Sequence, residues 1–434
     1  MGAGTAQGGA CLLISGKERK NMEFVVFAGV LLLLFIFMIV QELIQTKNQE
    51  KLFKKYLREN YGKEPPKEYS LERFARLGSY LERHKEEKQL DDITWNDLGM
   101  DEVFRRIDRT YSAAGEEYLY YTLRNISCGR EALEHLEEVV NWLQEQENIK
   151  VRIQLLMKRL GHLGKYSLYD YLDNLDYLGE RSNRKIVLEN LLYLPFLLLL
   201  FVQPAMGTIG IVLCMLWHIM TYFREKKVIE PYIISFAYVL RLIDVCEELE
   251  KQKIPVYRRE LDELREALKS LRELRRGAYW VMAGNQGKIG GNPLDILADY
   301  LRMILHLDIF QFNRMLEKLR KKTGQVETML AITGYLDMAI SVGGFRKSLE
   351  GYCIPKLEED TEKAFLHMKK GWHPLLSQPV KNSIRADRGI LLTGSNASGK
   401  STFLKMVAVN AVLAQTIHTC AAESYHAPIF QIFS

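Results

Sequence analysis

The chain has 434 residues, of which 47% are hydrophobic and 26% charged, and its formal net charge is +5. This length accommodates two or three domains, and the composition predicts folded cores and excludes a largely disordered protein. The charge permits a phosphate-rich partner or an acidic membrane surface but indicates neither. The cysteines form no C-x-x-C pair, which predicts reduced, mostly buried thiols and no zinc site. They are Cys11, Cys128, Cys214, Cys246, Cys353 and Cys420.

The N-terminal region, residues 1–45, predicts a tail followed by a transmembrane anchor. Residues 1–21 are glycine-rich and then basic, so Met22 is a candidate for the true start. Residues 24–40 form an unbroken apolar run of membrane-spanning length. A cleaved signal peptide is the alternative, but residues 41–51 contain no small-residue cleavage site, which favours an uncleaved anchor. The basic residues after the run predict that the N-terminus faces out of the cytoplasm. They are Lys47, Lys51, Lys54, Lys55 and Arg58.

Three further segments are predicted to be helical. Residues 46–90 are a charged linker with a helix, residues 91–185 show helical apolar spacing with boundaries at Gly115 and Gly129, and residues 224–351 are helical again. One leucine stripe predicts a core face or coiled-coil seam. It consists of Leu261, Leu264, Leu268, Leu271 and Leu274. A basic cluster favours a solvated helix face, with phosphate contact as the alternative. It consists of Arg314, Lys318, Arg320, Lys321 and Lys322.

Residues 186–223 predict a transmembrane hairpin. From residue 191 to residue 223 no side chain is charged except His218 if protonated, and this run is too long for one upright helix. A turn is expected in its middle, at Gln203, Pro204 and Gly207. Both ends carry basic flanks, which place both ends in the cytoplasm. These are Arg181, Arg184 and Lys185 before the run, and Arg224, Lys226 and Lys227 after it. A buried pair of core helices is the alternative.

Residues 352–434 contain a phosphate-loop pattern. Residues 390–392 predict a short buried strand, residues 394–401 fit G-x-x-x-x-G-K-[ST], and an apolar-periodic helix follows. Glycines let backbone N–H groups approach phosphate oxygens, and the helix N-terminus attracts the same anion. Lys400 is expected to contact the outer phosphates and Ser401 to bind Mg²⁺. The predicted nucleotide-binding residues are Gly394, Ser395, Asn396, Ala397, Ser398, Gly399, Lys400, Ser401 and Thr402. A glycine turn without ligand is the alternative.

An acidic element that holds Mg²⁺ and polarises the attacking water is missing after the loop. Beyond Lys400 the only side-chain carboxylate is Glu423, which does not end an apolar strand. We therefore identify no catalytic residue, and we expect an incomplete P-loop domain, a chain truncated at Ser434, and very slow or absent hydrolysis. Whether the chain is an enzyme stays open.

These residues together resemble the MutS family, the ATPases of DNA mismatch repair. The loop GSNASGKSTFLK is similar to the family's phosphate loop, and the His373–Leu376 segment matches its H-P-hydrophobic motif. Residues 379–384 resemble the stretch beside the adenine pocket. Residues 108–126 resemble the opening of the helical core, and residues 335–341 resemble the segment leading into the ATPase domain. The resemblance covers roughly residues 95–180 and 230–434.

The resemblance implies ATP and Mg²⁺ as ligands, a homodimer with nucleotide sites at its interface, and a clamp on double-stranded DNA. It also implies that His373, Val380 and Asn382 lie on the adenine side of the site. The expected fold is mostly α with a C-terminal partial α/β P-loop domain, an N-terminal transmembrane helix and a central transmembrane hairpin. Mismatch recognition is not expected from the motif itself, because no F-x-E sequence lies in a comparable N-terminal domain.

Three hypotheses about function follow. The chain is a membrane-anchored, MutS-like ATP-binding protein that contacts DNA as a dimer. Alternatively it is a membrane NTPase that acts on a protein or membrane partner without DNA, or it is an inactive fragment. In each case the expected location is the cell membrane, multi-pass, with the helical core and ATPase domain in the cytoplasm.

Overall fold

A computed structural model describes residues 37, 40–41, 44–64, 69–85, 89–126, 129–163, 166–275, 300–359, 364–395 and 398–434. The chain divides into two compact units, residues 1–60 and residues 61–434. In the first unit residues 44–60 are helical, with an ion pair of 2.6 Å between Lys54 and Glu50. The predicted anchor, residues 24–40, lies outside the described residues except for Phe37 and Val40.

The described part of the second unit is mostly helical with one small mixed sheet, which confirms the expected balance of helix and strand. Its helices are α1 (Leu71–Arg83), α2 (Asp92–Leu98), α3 (Met100–Ile107), α4 (Ala113–Arg124), α5 (Gly129–Glu145), α6 (Glu147–Leu160), α7 (Leu168–Asp173), α8 (Arg184–Leu191), α9 (Tyr193–Val202), α10 (Pro204–Glu250), α11 (Arg258–Leu271), α12 (Leu307–Arg320), α13 (Thr323–Ser348) and α14 (Lys400–Ile417). The predicted boundary at Gly129 is the first residue of α5, whereas Gly115 lies inside α4.

The strands are β1 (Lys356–Glu358), β2 (Leu366–Gly371), β3 (Asn382–Ala386) and β4 (Ser424–Pro428). They lie in the order β1-β4-β2-β3. The β1–β4 pair is parallel, and the β4–β2 and β2–β3 pairs are antiparallel. Helix α14 contacts β2. The sheet therefore contains strands from both sides of the phosphate-loop pattern, β3 before it and β4 after it in the chain.

Helix α13 is the centre of the helical core, and it crosses α4 at close range. A Cβ atom on Gly115 would lie 2.4 Å from a carboxylate oxygen of Asp337, and one on Gly334 would lie 2.6 Å from the backbone oxygen of Ala114. The buried Asp337 accepts hydrogen bonds of 2.8 and 2.6 Å from the backbone N–H and hydroxyl of Ser112, the N-cap of α4. The two segments that resemble the MutS core, 108–126 and 335–341, are therefore direct neighbours.

Helices α9 and α10 pack against each other, and the chain breaks between them at a residue of the predicted turn. The chain breaks at Gln203, where φ is −138° and ψ is 85°, and Pro204 begins α10. Gly207 was expected in the turn, but it lies inside α10 and contacts α9, as does Gly210. A Cβ atom on Gly210 would lie 2.0 Å from the ring of Phe196, so the glycines permit close packing of the two helices.

The hairpin differs from the core in its exposure. Arg184–Val202 and Pro204–Glu250 are long and apolar enough to cross a membrane, and only 6% and 22% of their most apolar windows are buried. Thr323–Ser348 also passes this test, but 83% of its window is buried, because it is the central core helix. Helix α10 continues without interruption across the predicted boundary at 223/224, and residues from Phe236 to Leu249 pack in the core.

The leucine stripe is placed as expected, and the basic cluster is placed so only in part. All five leucines of the stripe at 261–274 are buried in the core. In the basic cluster, Lys318 pairs with Glu273 at 3.0 Å, and Arg320 donates to the backbone oxygen of Leu175 at 2.6 Å. Lys322 donates to the backbone oxygen of Ser270. Arg314 and Lys321 are exposed, as the predicted solvated face requires, whereas the other three cations bond to the protein's own surface.

Candidate nucleotide-binding site

The predicted strand at residues 390–392 is not formed. Ile390, Leu391 and Leu392 have no β pairing, and Leu391 is 88% exposed. A strand needs a neighbour to accept and donate its ladder hydrogen bonds, and this segment pairs with neither edge strand of the sheet, β1 or β3. The prediction of a buried strand at residues 390–392 is therefore wrong: the apolar run is present, but it pairs with no described strand.

The second half of the phosphate-loop pattern has the expected local structure. Gly399 has φ of +85°, a conformation that favours glycine, and α14 begins at the next residue. The Phe403 N–H donates to the Gly399 oxygen at 2.9 Å, which closes the first turn. The Lys400 ammonium donates to the backbone oxygens of Gly394 and Ser395. A phosphate group would compete with these two carbonyls for the ammonium.

One cavity of about 580 Å³ joins the loop to the predicted adenine side. It is lined from the loop and α14 by Ser398, Gly399, Lys400 and Thr402, together with Phe403 and Met406. On the other side it is lined by His373, Leu376, Gln378, Val380 and Asn382. This volume lies in the range of small-molecule pockets. Of the other predicted residues, Gly394 and Ser395 bind Lys400, Ser401 is exposed outside the lining, and Asn396 and Ala397 lie outside the described residues.

The adenine-side wall mixes apolar and polar groups. Asn382 begins β3, and its amide donates to the Val380 oxygen at 3.1 Å. His373 follows β2 and is 9% exposed. Burial, and then the nearby Lys405 charge, lower the pKa of His373, so its ring is neutral at pH 7. The backbone N–H of Leu375 donates to the His373 Nδ1 atom at 3.4 Å. The adenine-side wall thus contains the neutral imidazole of His373 and the amide of Asn382, two groups suited to contact the base of a nucleotide.

The cation site is only half provided by the described residues. Ser401 is in the first turn of α14, where a hydroxyl suits Mg²⁺, but the cavity lining includes no carboxylate. Glu423 is bound elsewhere: its carboxylate accepts from Lys369 and Lys370, and these hydrogen bonds lower the pKa of Glu423 to about 2. The residues present therefore fit a nucleotide phosphate better than they fit the complete coordination of a metal ion.

Two residues that the sequence reading did not single out attach α14 to the rest of the fold. Asn410, fully buried, donates to the backbone oxygens of Trp372 and Met406 and accepts from the Ala421 N–H at 2.7 Å. Arg346, near the end of α13, reaches the opposite end of α14 and donates to the oxygens of Ile417 and His418. Neither residue belongs to a short motif, so only a three-dimensional structure reveals them.

Comparison with known proteins gives a partial similarity. No family model matches the chain. It is 32% identical over 124 residues to the DNA mismatch repair protein MutS of Acholeplasma laidlawii, covering 27% of this chain and 14% of that protein. It is 30% identical over 138 residues to MutS of Leptospira interrogans, covering 29% and 16%. It is 28% identical over 123 residues to the human MutS protein homolog 4, covering 26% and 12%.

These similarities support the resemblance to the MutS family over about a quarter of this chain. The matched stretch spans about one seventh of the length of the curated relatives. The class that fold and comparison define is thus a mostly helical, MutS-like chain with a small mixed sheet. The activities of the relatives as whole proteins come to this chain only as proposals.

Proposed function

We propose that this chain is a membrane-anchored, MutS-like ATP-binding protein whose conformation responds to the nucleotide. The observation that carries the proposal is the single cavity that joins Lys400 and Gly399 to His373 and Asn382, residues that lie apart in the sequence. A glycine turn without ligand gives no reason for this convergence. The cavity has a cation and a helix N-terminus at one end and a partly apolar wall at the other. These ends suit the anionic phosphates and the heterocyclic base of a nucleotide, respectively.

The phosphate end of the proposed site depends on Lys400. Its ammonium is held over the loop by two backbone carbonyls, and exchange of these for phosphate oxygens gives a stronger, charge-assisted interaction. Helix α14 adds the partial positive charge of its first turn. Ser401 is the residue that would contact Mg²⁺, and the bound ion would neutralise phosphate charge. Among the described residues that line the cavity, Lys400 is the one with a cationic ammonium or guanidinium group.

The test is ATP affinity of the purified chain and of Lys400→Ala, measured by titration with a fluorescent ATP analogue. We expect the affinity to fall by about tenfold or more, on the order of the 1.5–3 kcal/mol of a charged hydrogen bond. Lys356→Ala is the matched control, because this lysine is exposed on β1 outside the cavity lining. Equal affinity for wild type and Lys400→Ala would show that the nucleotide does not bind at this loop.

Membrane attachment through the hairpin is the second part of the proposal. Its support is the exposed apolar surface of α9 and the first half of α10, where Phe201 is 89% exposed and Leu198 is 68% exposed. Water disfavours such a surface, whereas lipid does not. The basic flanks of the hairpin support the proposal that its ends, and with them the helical core, lie on the cytoplasmic side of the cell membrane.

Membrane fractionation tests this attachment. Leu198→Arg and Leu213→Arg each place a charge on the exposed band, at a cost of about 2.5–3.5 kcal/mol if the band is in lipid. We expect a smaller membrane fraction after alkaline extraction for these variants. Ile93→Arg, at an exposed residue of α2, is the control and should leave the fraction unchanged. A full-length protein that alkaline extraction removes from membranes would contradict the attachment.

We further propose that the protein acts on double-stranded DNA, including mismatched DNA, because the relatives are named as DNA mismatch repair proteins. The homodimer is proposed from the resemblance of the phosphate loop and helical core to the MutS family. Binding through phosphates weakens steeply with salt, so a duplex-binding assay at low salt is the test. The pairing of the basic cluster with the protein's own surface favours a second candidate, an NTPase that acts on a protein or membrane partner without DNA. Co-purification of membrane proteins that nuclease treatment leaves unchanged, with no duplex binding, would select this candidate.

A further inference from the structure

Cys353 and Cys420 face each other directly across an isolated antiparallel bridge. The N–H of each donates to the oxygen of the other, and both N···O distances are 3.0 Å. A pair with two such bonds has its Cα atoms about 5.5 Å apart, which is within the range that a disulfide spans. Directly opposed residues project their side chains to the same face of the bridge, with Cβ atoms about 4.5–5.5 Å apart. The Cys420 thiol donates to the backbone oxygen of Asn410 at 3.5 Å.

The two thiols differ in a way that suits stepwise oxidation. Cys353 is partly exposed, whereas Cys420 is 0% exposed. The neighbouring Cys420 side chain and the Tyr425 backbone N–H lower the pKa of Cys353 against the opposing effect of burial. Burial raises the pKa of Cys420. A reagent in solution therefore meets Cys353 first, as the better source of thiolate, and Cys420 lies behind it as the resolving thiol.

A disulfide between these two residues would link the segments that follow α13 and α14. Cys353 follows the end of α13, and Cys420 follows the end of α14. The chain between them includes β1, β2, β3 and the whole candidate site. Next to Cys420, the Thr419 hydroxyl accepts a 2.8 Å hydrogen bond from the buried Arg346 of α13. A bond between the two sulfurs would fix α14 against the end of the central core helix at this point.

We propose that Cys353 and Cys420 are a redox-sensitive pair that forms a reversible disulfide with a small disulfide, such as glutathione disulfide, as oxidant. The Cys353 thiolate attacks one sulfur of the oxidant, and its S–S bond breaks to release one thiolate, which takes up a proton. Cys420 loses its proton and displaces the second thiolate from the mixed disulfide. One protein dithiol and one oxidant disulfide thus give one protein disulfide and two small thiols. This chemistry is independent of the proposed nucleotide binding.

The experiment uses the full chain in detergent, equilibrated in buffers of increasing ratio of oxidised to reduced glutathione. Free thiols are then alkylated, and tryptic peptides are examined by mass spectrometry. We expect peptide 348–356 joined to peptide 406–434, two hydrogen atoms lighter than the separate peptides, in protein that has never been denatured. Reduction with dithiothreitol should separate them.

Two variants make the result specific. Cys353→Ala, at the partly exposed residue, should abolish the joined peptides and leave Cys420 reduced, because burial shields the Cys420 thiol from the oxidant in solution. Cys246→Ala, at a buried cysteine of α10, should leave the joined peptides unchanged. Oxidation of the wild type should raise Tm by on the order of 5 °C, because the bond closes a long loop, and Cys353→Ala should show no such rise.

Three outcomes would overturn the proposal. Glutathione bound to Cys353 without any joined peptides would show that Cys420 does not resolve the mixed disulfide. Joined peptides that form only in denaturant would show that the native backbone holds the sulfurs apart. Resistance of both thiols to the most oxidising buffer would show that the pair is merely structural.

Discussion

The strongest prediction concerns Arg346, whose side chain joins three parts of the fold. It is 1% exposed and lies near the end of α13. Its guanidinium donates to both carboxylate oxygens of Glu137 on α5, at 3.0 and 2.8 Å. It also donates to the Thr419 hydroxyl and to the oxygens of Ile417 and His418 at the end of α14. Arg346→Gln keeps the stem of this side chain but removes the forked cation.

The magnitude follows from what the substitution leaves behind. Removing one partner of a buried ion pair costs about 3–5 kcal/mol, because the other partner stays desolvated. Burial alone would raise the pKa of Glu137, but hydrogen bonds from His418 and Arg346 lower it to about 2, from an ordinary value of 4.5. Arg346 accounts for only part of that shift, because His418 also lowers the pKa, and solvent screening of the partly exposed carboxylate reduces its energetic value further. We therefore expect Arg346→Gln to lose about 3 kcal/mol.

The pH dependence has a definite sign. The low pKa of Glu137 contributes stability that is fully present above pH 4.5 and is lost as the pH falls towards 2. The difference between wild type and Arg346→Gln should therefore be full at pH 7 and shrink in acid. A difference that grows as the pH falls would show that some group other than Glu137 is responsible.

The assay is thermal unfolding of the full chain in detergent, followed by tryptophan fluorescence. For a cooperative domain of 150–250 residues, about 3 kcal/mol lowers Tm by roughly 6–12 °C. Arg265→Gln is the matched control, because this arginine pairs with Glu250 and Asp262 on the surface, where ion pairs contribute little. Arg346→Lys should recover part of the loss. If Arg346→Gln shifts Tm no more than Arg265→Gln, the reasoning from burial and geometry is refuted.

Three further predictions test other parts of the fold. Gly115→Ala should lower Tm by several degrees because its Cβ atom would meet a buried carboxylate, whereas Gly78→Ala, with nothing within 4 Å, should be neutral or stabilising. Burial raises the pKa of Glu117 to about 8, so the wild type should lose stability as the pH rises from 4.5 through 8, and Glu117→Gln should be nearly flat in thermal scans over that range. Gly210→Leu should separate α9 from α10, because Phe196 fills that space, and distance measurements between spin labels on the two helices should show a wider gap; an unchanged gap would contradict the packing.

The sequence predicted local features well where the signal is local. The leucines at 261–274 show helical spacing, and they are buried on one helical face. The helix after the phosphate-loop pattern begins at Lys400, where a glycine with positive φ precedes it. The chain breaks at Gln203, next to Pro204, within the predicted hairpin. Each of these depends on side-chain periodicity or on the backbone preferences of glycine and proline. Both can be predicted from residues that are close together in the sequence.

Features that depend on contacts between residues far apart in the sequence could not be predicted in this way. Residues 390–392 have the composition of a buried strand, but pairing decides whether a strand forms, and pairing is not written in the segment itself. Gly207 was expected in a turn because glycine favours turns, whereas its absent side chain serves the close approach of α9. Arg346 was one arginine among many in the sequence. Its importance comes from the ends of two helices meeting, which no periodicity reports.

The two parts of the proposed function meet in the long helix α10. Its 47 residues correspond to about 70 Å, and one end packs against α9 while the other end packs in the core. Helix α10 is unbroken through Pro231, so its exposed apolar half and its buried half are joined by helix and not by a flexible linker. A displacement of one half must therefore be carried by the other or absorbed by bending at the proline. If nucleotide binding moves the core, α10 itself therefore transmits the movement to the hairpin, and no other contact between core and hairpin is needed.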